Sequence, residues 1–452
     1  MNSHPDRAGQ LIKRPFFSAN SGARGLVNGR ALRNVEPLTT TMLLRKSFLA
    51  AVIRHLTGPA LAWLFTSVQA ADWPQWRGPQ RNGISEEKDW LDQWPAAGPK
   101  IAWTAKVGLG PSSFVIGGGR AFTLGHADGK DTVFCFEAAT GKSLWKHSYA
   151  AELGDKFFEG GTTGTPTLAG ERLYVLSRWG DAFCFEAASG KIVWNINVQK
   201  QTGIRVPDWG FTGAPLVLGR RLILNIGESG VALDPATGAI LWQSADKNAG
   251  YSTPLPVALD GRTLVLMGSS QSYLAVNPED GKEAWRVRWV TEYGVNAADP
   301  IVSGDRLFIS SGYGKGAGLF RLGTSEPEEL WKIRTLRTQL NAAILIDGHL
   351  YGVDGDTTSL GALKCLDLAT GTEKWAHKDF RTGAVSGADG RLIALSGTGT
   401  LLIAPASPAQ FKPTASAKIL DGKCWTAPVL ANGLIYCRTT SGDVAVIDVR
   451  KK

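Results

Sequence analysis

Five times in this chain a glycine stands four residues before a tryptophan: Gly141 and Trp145, Gly190 and Trp194, Gly238 and Trp242, Gly281 and Trp285, Gly371 and Trp375. Trp331 closes a further unit in which Glu-rich residues replace the Thr-Gly turn, and Trp103 sits in a matching strand, Lys100 to Val107. From Trp103 onward the tryptophans step by 42, 49, 48, 43, 46 and 44 residues. A tryptophan signature at a period of about 40–50 residues marks a radial or stacked repeat, whose units bury their faces only against one another.

Each unit reads as four strands. In the second, Thr165 to Leu168 is an inner strand, Arg172 to Leu176 the next, Asp181 to Glu186 the third and Lys191 to Trp194 the outermost. Period-2 alternation and Gly/Asn/Asp turns support the reading. The glycine between strands three and four suits a turn that needs a positive φ. The rings of Trp103, Trp145, Trp194, Trp242, Trp285, Trp331 and Trp375 then fall at one fixed outer position, where each docks against the neighbouring unit.

Inner strands are expected to start near Ser113, Thr165, Ala214, Thr253, Ala298, Asn341, Ala384 and Ala427, which makes eight units. The seventh lacks the Gly/Trp signature, and Lys418 to Leu420 is expected as its outer strand. The eighth ends at a third strand, Val444 to Val449, and the unassigned strand around Trp103 supplies the fourth. The fold class is therefore all-β: an eight-bladed β-propeller of four-stranded blades, closed by pairing the two chain ends within one blade. Closure leaves no open sheet edge.

The first seventy residues read differently. They hold nine basic and two acidic residues, so the net charge of +9 for the whole chain falls to +2 beyond them. A nucleic-acid reading based on total charge therefore fails. Residues 42–70 show a positive stretch (Arg45, Lys46, Arg54), a mostly apolar run from Leu56 to Val68 and a small-x-small site ending at Ala70. That is the pattern of a signal peptide cleaved after Ala70. Residues 1–41 are expected to be a disordered extension or to lie upstream of a start at Met42. Residues 71–99 are expected to be a wrapping segment, with Trp73, Trp76 and Arg77 as anchors, and 100–452 the propeller. No transmembrane segment is expected in the mature chain, which is read as an exported monomer.

The repeated Asp/Ala-x-x-Thr-Gly-Lys-x-x-Trp element resembles the tryptophan-docking motif of pyrroloquinoline quinone (PQQ)-type propellers. That group includes quinoprotein alcohol dehydrogenases and outer-membrane protein assembly factor B. The stretch Asp72 to Ser85, DWPQWRGPQRNGIS, looks like the opening of many exported PQQ-like repeat proteins. The resemblance implies either of two functions. One is a non-catalytic binding or scaffold module that engages a protein, peptide or polymer of the cell envelope, with no cofactor. The other is a PQQ- and Ca-dependent oxidoreductase. The dehydrogenases typically carry adjacent cysteines and some carry a Cys-x-x-Cys-His haem site; this sequence has neither. A hydrolase or lyase built on an unrecognised carboxylate site is the third reading.

No other chemistry stands out. Cys135, Cys184 and Cys365 recur at one third-strand position of three units and read as small core residues. Cys424 and Cys437 share a blade, which leaves a disulfide between them open. His126, His147, His349 and His377 are dispersed and read as surface or turn residues. Ser112-Ser113 and Ser269-Ser270 lack a nucleophile-elbow context, and Gly117 to Gly119 and Gly312 to Gly318 read as hairpins. No catalytic, cofactor-binding or metal-binding residue is expected. The candidates for a partner-binding face lie in loops that lead into inner strands: Arg205, Asp208, Trp209, Tyr251, Tyr293, Asn296, Arg337, Gln339 and Trp425. Arg and aromatic side chains are enriched at binding hot spots; the alternative role for each is packing along the channel.

Overall fold

The computed structural model describes residues 71–323, 326–357 and 359–451. The expected leader, its cleavage site after Ala70 and the alternative start at Met42 lie outside the described residues. Each of the eight sheets is antiparallel through four consecutive positions. In blade one the strands are Val115–Gly117, Arg120–Ala127, Lys130–Glu137 and Ser143–Ala150, from the channel outward. The other inner strands are Thr167–Ala169, Leu216–Leu218, Leu255–Leu259, Ile301–Ser303, Ile344–Ile346, Ala384–Ala388 and Val429–Ala431. Local chemistry sets the hairpins. Asp128-Gly129, Asp260-Gly261, Asp347-Gly348, Asp389-Gly390 and Asn432-Gly433 all hold φ positive at both residues, the geometry that matches the right-handed twist of paired strands. Among the described residues, one five-residue helix, Val198–Thr202, interrupts the β-structure, and no helix is long and apolar enough to cross a membrane.

Ring closure takes place in blade eight. Lys100–Lys106 pairs antiparallel with Asp443–Asp448 as its outermost strand. Arg438, on the second strand of that blade, is fully buried. It donates to the carbonyls of Ser112 and Leu124 and to Thr123 Oγ1 at 2.7–2.9 Å, and to Gly108 O at 3.1 Å. The last blade is thereby clamped to the first. With carbonyls and a hydroxyl rather than a carboxylate as partners, burial pulls the guanidinium down to about 9.

The core lies between blades. One cluster joins Phe122, Leu124 and Val133 of blade one to Leu173, Val175, Phe183 and Phe185 of blade two. Each outer-strand indole reaches across the same seam. The Nε1 of Trp103, Trp145, Trp194, Trp242, Trp331 and Trp375 donates to Ala138, Ala187, Pro235, Pro278, Leu368 and Ser407 O, respectively, at 2.8–3.1 Å. The turn glycine of the next blade lies flat on the ring. A Cβ on Gly141, Gly190, Gly238 or Gly281 would meet the indole at 2.6–2.8 Å, and all four hold φ between 70° and 76°. These turns therefore need glycine for two reasons, the backbone conformation and the closeness of the ring. Trp285 faces blade five, where the Thr-Gly turn is missing, and its buried Nε1 finds no acceptor among the described residues.

Two expectations change and one open question closes. The outer strand of blade seven is Ala415–Lys418 rather than Lys418 to Leu420; Ile419 and Leu420 instead donate their N–H groups to Gly399 O, and Leu420 enters the core. His126 is buried, with Nδ1 2.8 Å from Asp131 Oδ1, not at the surface. All five cysteines are free thiols, Cys424 and Cys437 included. Cys135, Cys184 and Cys365 each sit opposite the tryptophan of their own blade, where burial pushes the thiols up to about 11 to 12.

Gly238→Ala should cost about 2–4 kcal/mol, combining positive-φ strain with overpacking against Trp194. Gly261→Ala has a φ of 72° but open space around its Cβ position, and should cost only about 1 kcal/mol. Guanidinium unfolding measures both; equal losses would deny the indole its role.

Candidate functional site

The channel is open at one end and filled at the other. Residues 72–91 cross the filled end, where each inner strand turns back into the second. Trp73 pairs with Ile116 of blade one, and Leu168 of blade two donates to Pro74 O. Ile84–Ser85 adds a parallel strand to blade seven. The Glu87 carboxylate takes the Gly433 N–H of blade eight at 2.8 Å. Between these anchors the chain pushes two side chains up the channel. The buried Arg77 donates to Ala342 O and Ala343 O of blade six at 3.3 and 2.9 Å. Trp76 Nε1 donates to Asp299 Oδ2 of blade five at 2.5 Å.

Trp76 thus floors a cavity of about 450 Å³ at the open mouth, within the size range of small-molecule pockets. Its wall comes from loops entering the inner strands and from the second hairpins of blades five and six. Two aromatic groups line it, joined through the neighbouring Phe157 and Phe158. In one, Trp209 packs on Phe157, with centroids 5.0 Å apart, and edge-on to Tyr251 at 5.8 Å. In the other, Trp425 lies under Lys423 Nζ at 4.6 Å and beside Phe158 at 6.4 Å. Tyr313, Gln339 and Asn341 complete the wall.

The charges in this wall are already engaged. Lys423 forms an ion pair with Glu159 across the rim, and its hydrogen bond holds the Glu159 carboxyl below the usual range. Asp299 accepts from Trp76 Nε1 and from Thr253 N at 2.7 Å. Burial raises its carboxyl, opposed first by the charge of Arg77. The loop carrying Phe157, Phe158 and Glu159 is held from behind by Arg178, which is 2% exposed. Arg178 donates to Leu153 O, Gly161 O and Trp209 O, each at 3.1 Å. Burial lowers its pKa, opposed by Asp131 and Asp155.

Of the nine candidate face residues, the cavity brings together Trp209, Tyr251, Gln339 and Trp425. Tyr293 is 55% exposed outside it, edge-on to Tyr313 at 5.0 Å. Arg205 and Asp208 are exposed beside the mouth; Arg205 Nη2 donates to Asn248 Oδ1 at 2.8 Å. Arg337 is tied to Asp354 at 2.8 Å. Asn296 is fully buried: it donates to Ser269 O and Trp289 O and accepts from Ser311 Oγ, so it packs the blade and faces no partner. Trp76, Asp299, Tyr313 and the pair Glu159–Lys423 were not among the candidates. The long connection from 151 to 166 was the available signal for the Phe157 loop, since long ordered loops carry function.

The family model described as outer membrane protein assembly factor BamB, a PQQ-repeat model, matches residues 129–377, more than half of the chain. The chain belongs to this BamB-like PQQ-repeat family. No curated protein matches its sequence. Among solved structures, BamB from Moraxella catarrhalis is similar at 17% identity and a TM-score of 0.59, over 77% of this chain and 99% of that one. A quinohemoprotein alcohol dehydrogenase from Comamonas testosteroni aligns at 14% identity and 0.61, over 84% and 81%. A europium-containing methanol dehydrogenase aligns at 12% and 0.62, over 83% and 89%. At these identities the likeness shows the fold alone.

PQQ is a planar tricarboxylate whose chemistry needs a hard cation beside it. Among the described residues the wall offers one cation, Lys423, already neutralised by Glu159. No cluster of three or more His, Cys, Asp or Glu able to hold a metal occurs among the described residues. The aromatic surfaces would suit a flat ring, but the donor set does not fit its charge.

Arg178→Leu removes the partner of three buried carbonyls and should cost about 3 kcal/mol or more. Hydrogen exchange should quicken over 153–161 and around Trp209 while blades five to seven keep their protection. Uniform loosening of all blades would contradict a local role for Arg178.

Proposed function

We propose that this protein is a non-catalytic propeller exported to the cell envelope, and that it binds its partner at the aromatic mouth of the channel. The observation that carries this is the neutralised wall. Among the described residues neither histidine nor cysteine lines the cavity, Lys423 is committed to Glu159, and the Asp299 oxygens are held by Trp76 and Thr253. General acid–base or nucleophilic chemistry needs a group poised to exchange a proton with its neighbour, and here no such pair faces the space. Clustered indoles and phenols around a desolvated pocket are instead what binding hot spots are made of. Export rests on the leader pattern ending at Ala70. It suits the similarity to BamB, but the similar dehydrogenases leave the choice between binding and redox chemistry to the site itself.

The second reading is a PQQ- and Ca-dependent oxidoreductase, favoured by the fold and by the flat aromatic surfaces. Titrating PQQ with and without Ca²⁺ or Eu³⁺ separates the two. A cofactor held with micromolar affinity would add about 3 kcal/mol of stability at a hundredfold excess. We expect no change in melting temperature and no dye-linked alcohol oxidation. Stabilisation that requires both PQQ and the cation would overturn the binding-module reading.

A further inference from the structure

The open hydrogen-bonding groups of the pocket share one chemical character, and it is neither ionic nor apolar. Thr165 Oγ1 accepts the Ser113 N–H at 3.1 Å, and Thr253 Oγ1 accepts the Ala214 N–H at 3.1 Å. Each hydroxyl therefore receives a hydrogen bond from the neighbouring blade and keeps its own proton to give. Tyr313 is in the same state, its oxygen accepting from Gln339 Nε2 at 2.7 Å. Asn341 spends its Nδ2 on Trp425 O at 2.7 Å and leaves its Oδ1 open as an acceptor. All four residues line the one cavity. Three hydroxyl donors and an amide oxygen in a pocket lined by aromatic rings match a ligand that alternates C–H faces with hydroxyl edges.

We propose, resting on the binding-module reading above, that the channel mouth binds the end of a neutral oligosaccharide. Ring C–H groups stack on Trp209, and sugar hydroxyls meet Thr165, Thr253, Tyr313 and Asn341. Charge decides against the competitors. An anionic sugar or a carboxylate ligand must break the Glu159–Lys423 pair to gain a cation, and desolvating an ionic partner without compensation is costly. An apolar peptide side chain would strand the open hydroxyls and the Asn341 oxygen, each an unsatisfied buried group. A neutral sugar meets neither penalty.

The test is isothermal titration of the full chain with maltohexaose, cellohexaose, N-acetylchitohexaose and xylohexaose, with hexagalacturonate as the charged counterpart. At least one neutral hexasaccharide should bind saturably, with an affinity unchanged between low and high salt. Trp209→Ala should weaken it by about tenfold or more, the loss expected from one stacked aromatic face. Tyr313→Phe, which keeps the ring and removes the hydroxyl, should weaken it by about threefold to tenfold. Binding by none of the neutral sugars, equal binding of hexagalacturonate, or binding untouched by Trp209→Ala would each overturn the proposal. None of these results would bear on the binding-module reading, which fails only if PQQ with its cation binds.

Discussion

Everything in this molecule depends on how the ring is closed. The outermost strand of blade eight is Lys100–Lys106, laid against Asp443–Asp448, so a strand that precedes blade one in the chain completes the last blade. Arg438 adds a buried clamp from blade eight to blade one through the carbonyls of Ser112, Leu124 and Gly108. Closure gives blade eight its fourth strand and joins the last blade to the first. It also dictates where the preceding segment runs. Residues 72–91 leave blade eight at the end where the inner strands turn back, cross the channel there, and bring Trp76 beneath the opposite mouth. A tube open at both ends becomes a cup with an indole floor.

The electrostatics of the cup follow from its depth. Asp299 is a buried carboxylate, and burial alone would make its charge costly. Two hydrogen bonds and the nearby positive charge of Arg77 offset that cost. At the rim the Glu159–Lys423 pair joins the loop before blade two to the loop before blade eight. The pair sits over Trp425, so the charge that could attract an anion also covers an aromatic face. The result is a wall whose ions satisfy one another and whose open groups are neutral. Such a surface can discriminate by shape and hydrogen bonding while offering little leverage on a developing charge, which is the term that dominates most enzymatic rate enhancement.

The blades were legible in the sequence because their determinants are local. The glycine and the tryptophan of five units lie four residues apart, and the Asp-Gly and Asn-Gly pairs announce their hairpins without help from elsewhere. Even the irregular units kept a readable trace. Trp375 finds Ser407 O in a blade with no Thr-Gly turn, whereas Trp285 finds no acceptor among the described residues. The pocket was legible only in part. Trp209, Tyr251, Gln339 and Trp425 could be chosen because they sit in loops of one face. Trp76 meets Asp299 across 223 residues of sequence, and Glu159 meets Lys423 across 264; no local pattern encodes such contacts. Asn296 misled for the complementary reason. A polar residue in a face loop reads as exposed, but three hydrogen bonds to its own and the adjacent blade turn it inward.

The most direct measurement is the solvent exchange of the Trp76 indole N–H, followed by NMR in nitrogen-labelled protein and assigned by Trp76→Phe. The cup requires that N–H to be buried against Asp299, so its resonance should be strongly protected and should shift as Asp299 is replaced by Asn. An indole proton that exchanges as fast as one free in solvent, and ignores Asp299→Asn, would mean that the amino-terminal segment does not floor the channel and that the pocket has no bottom.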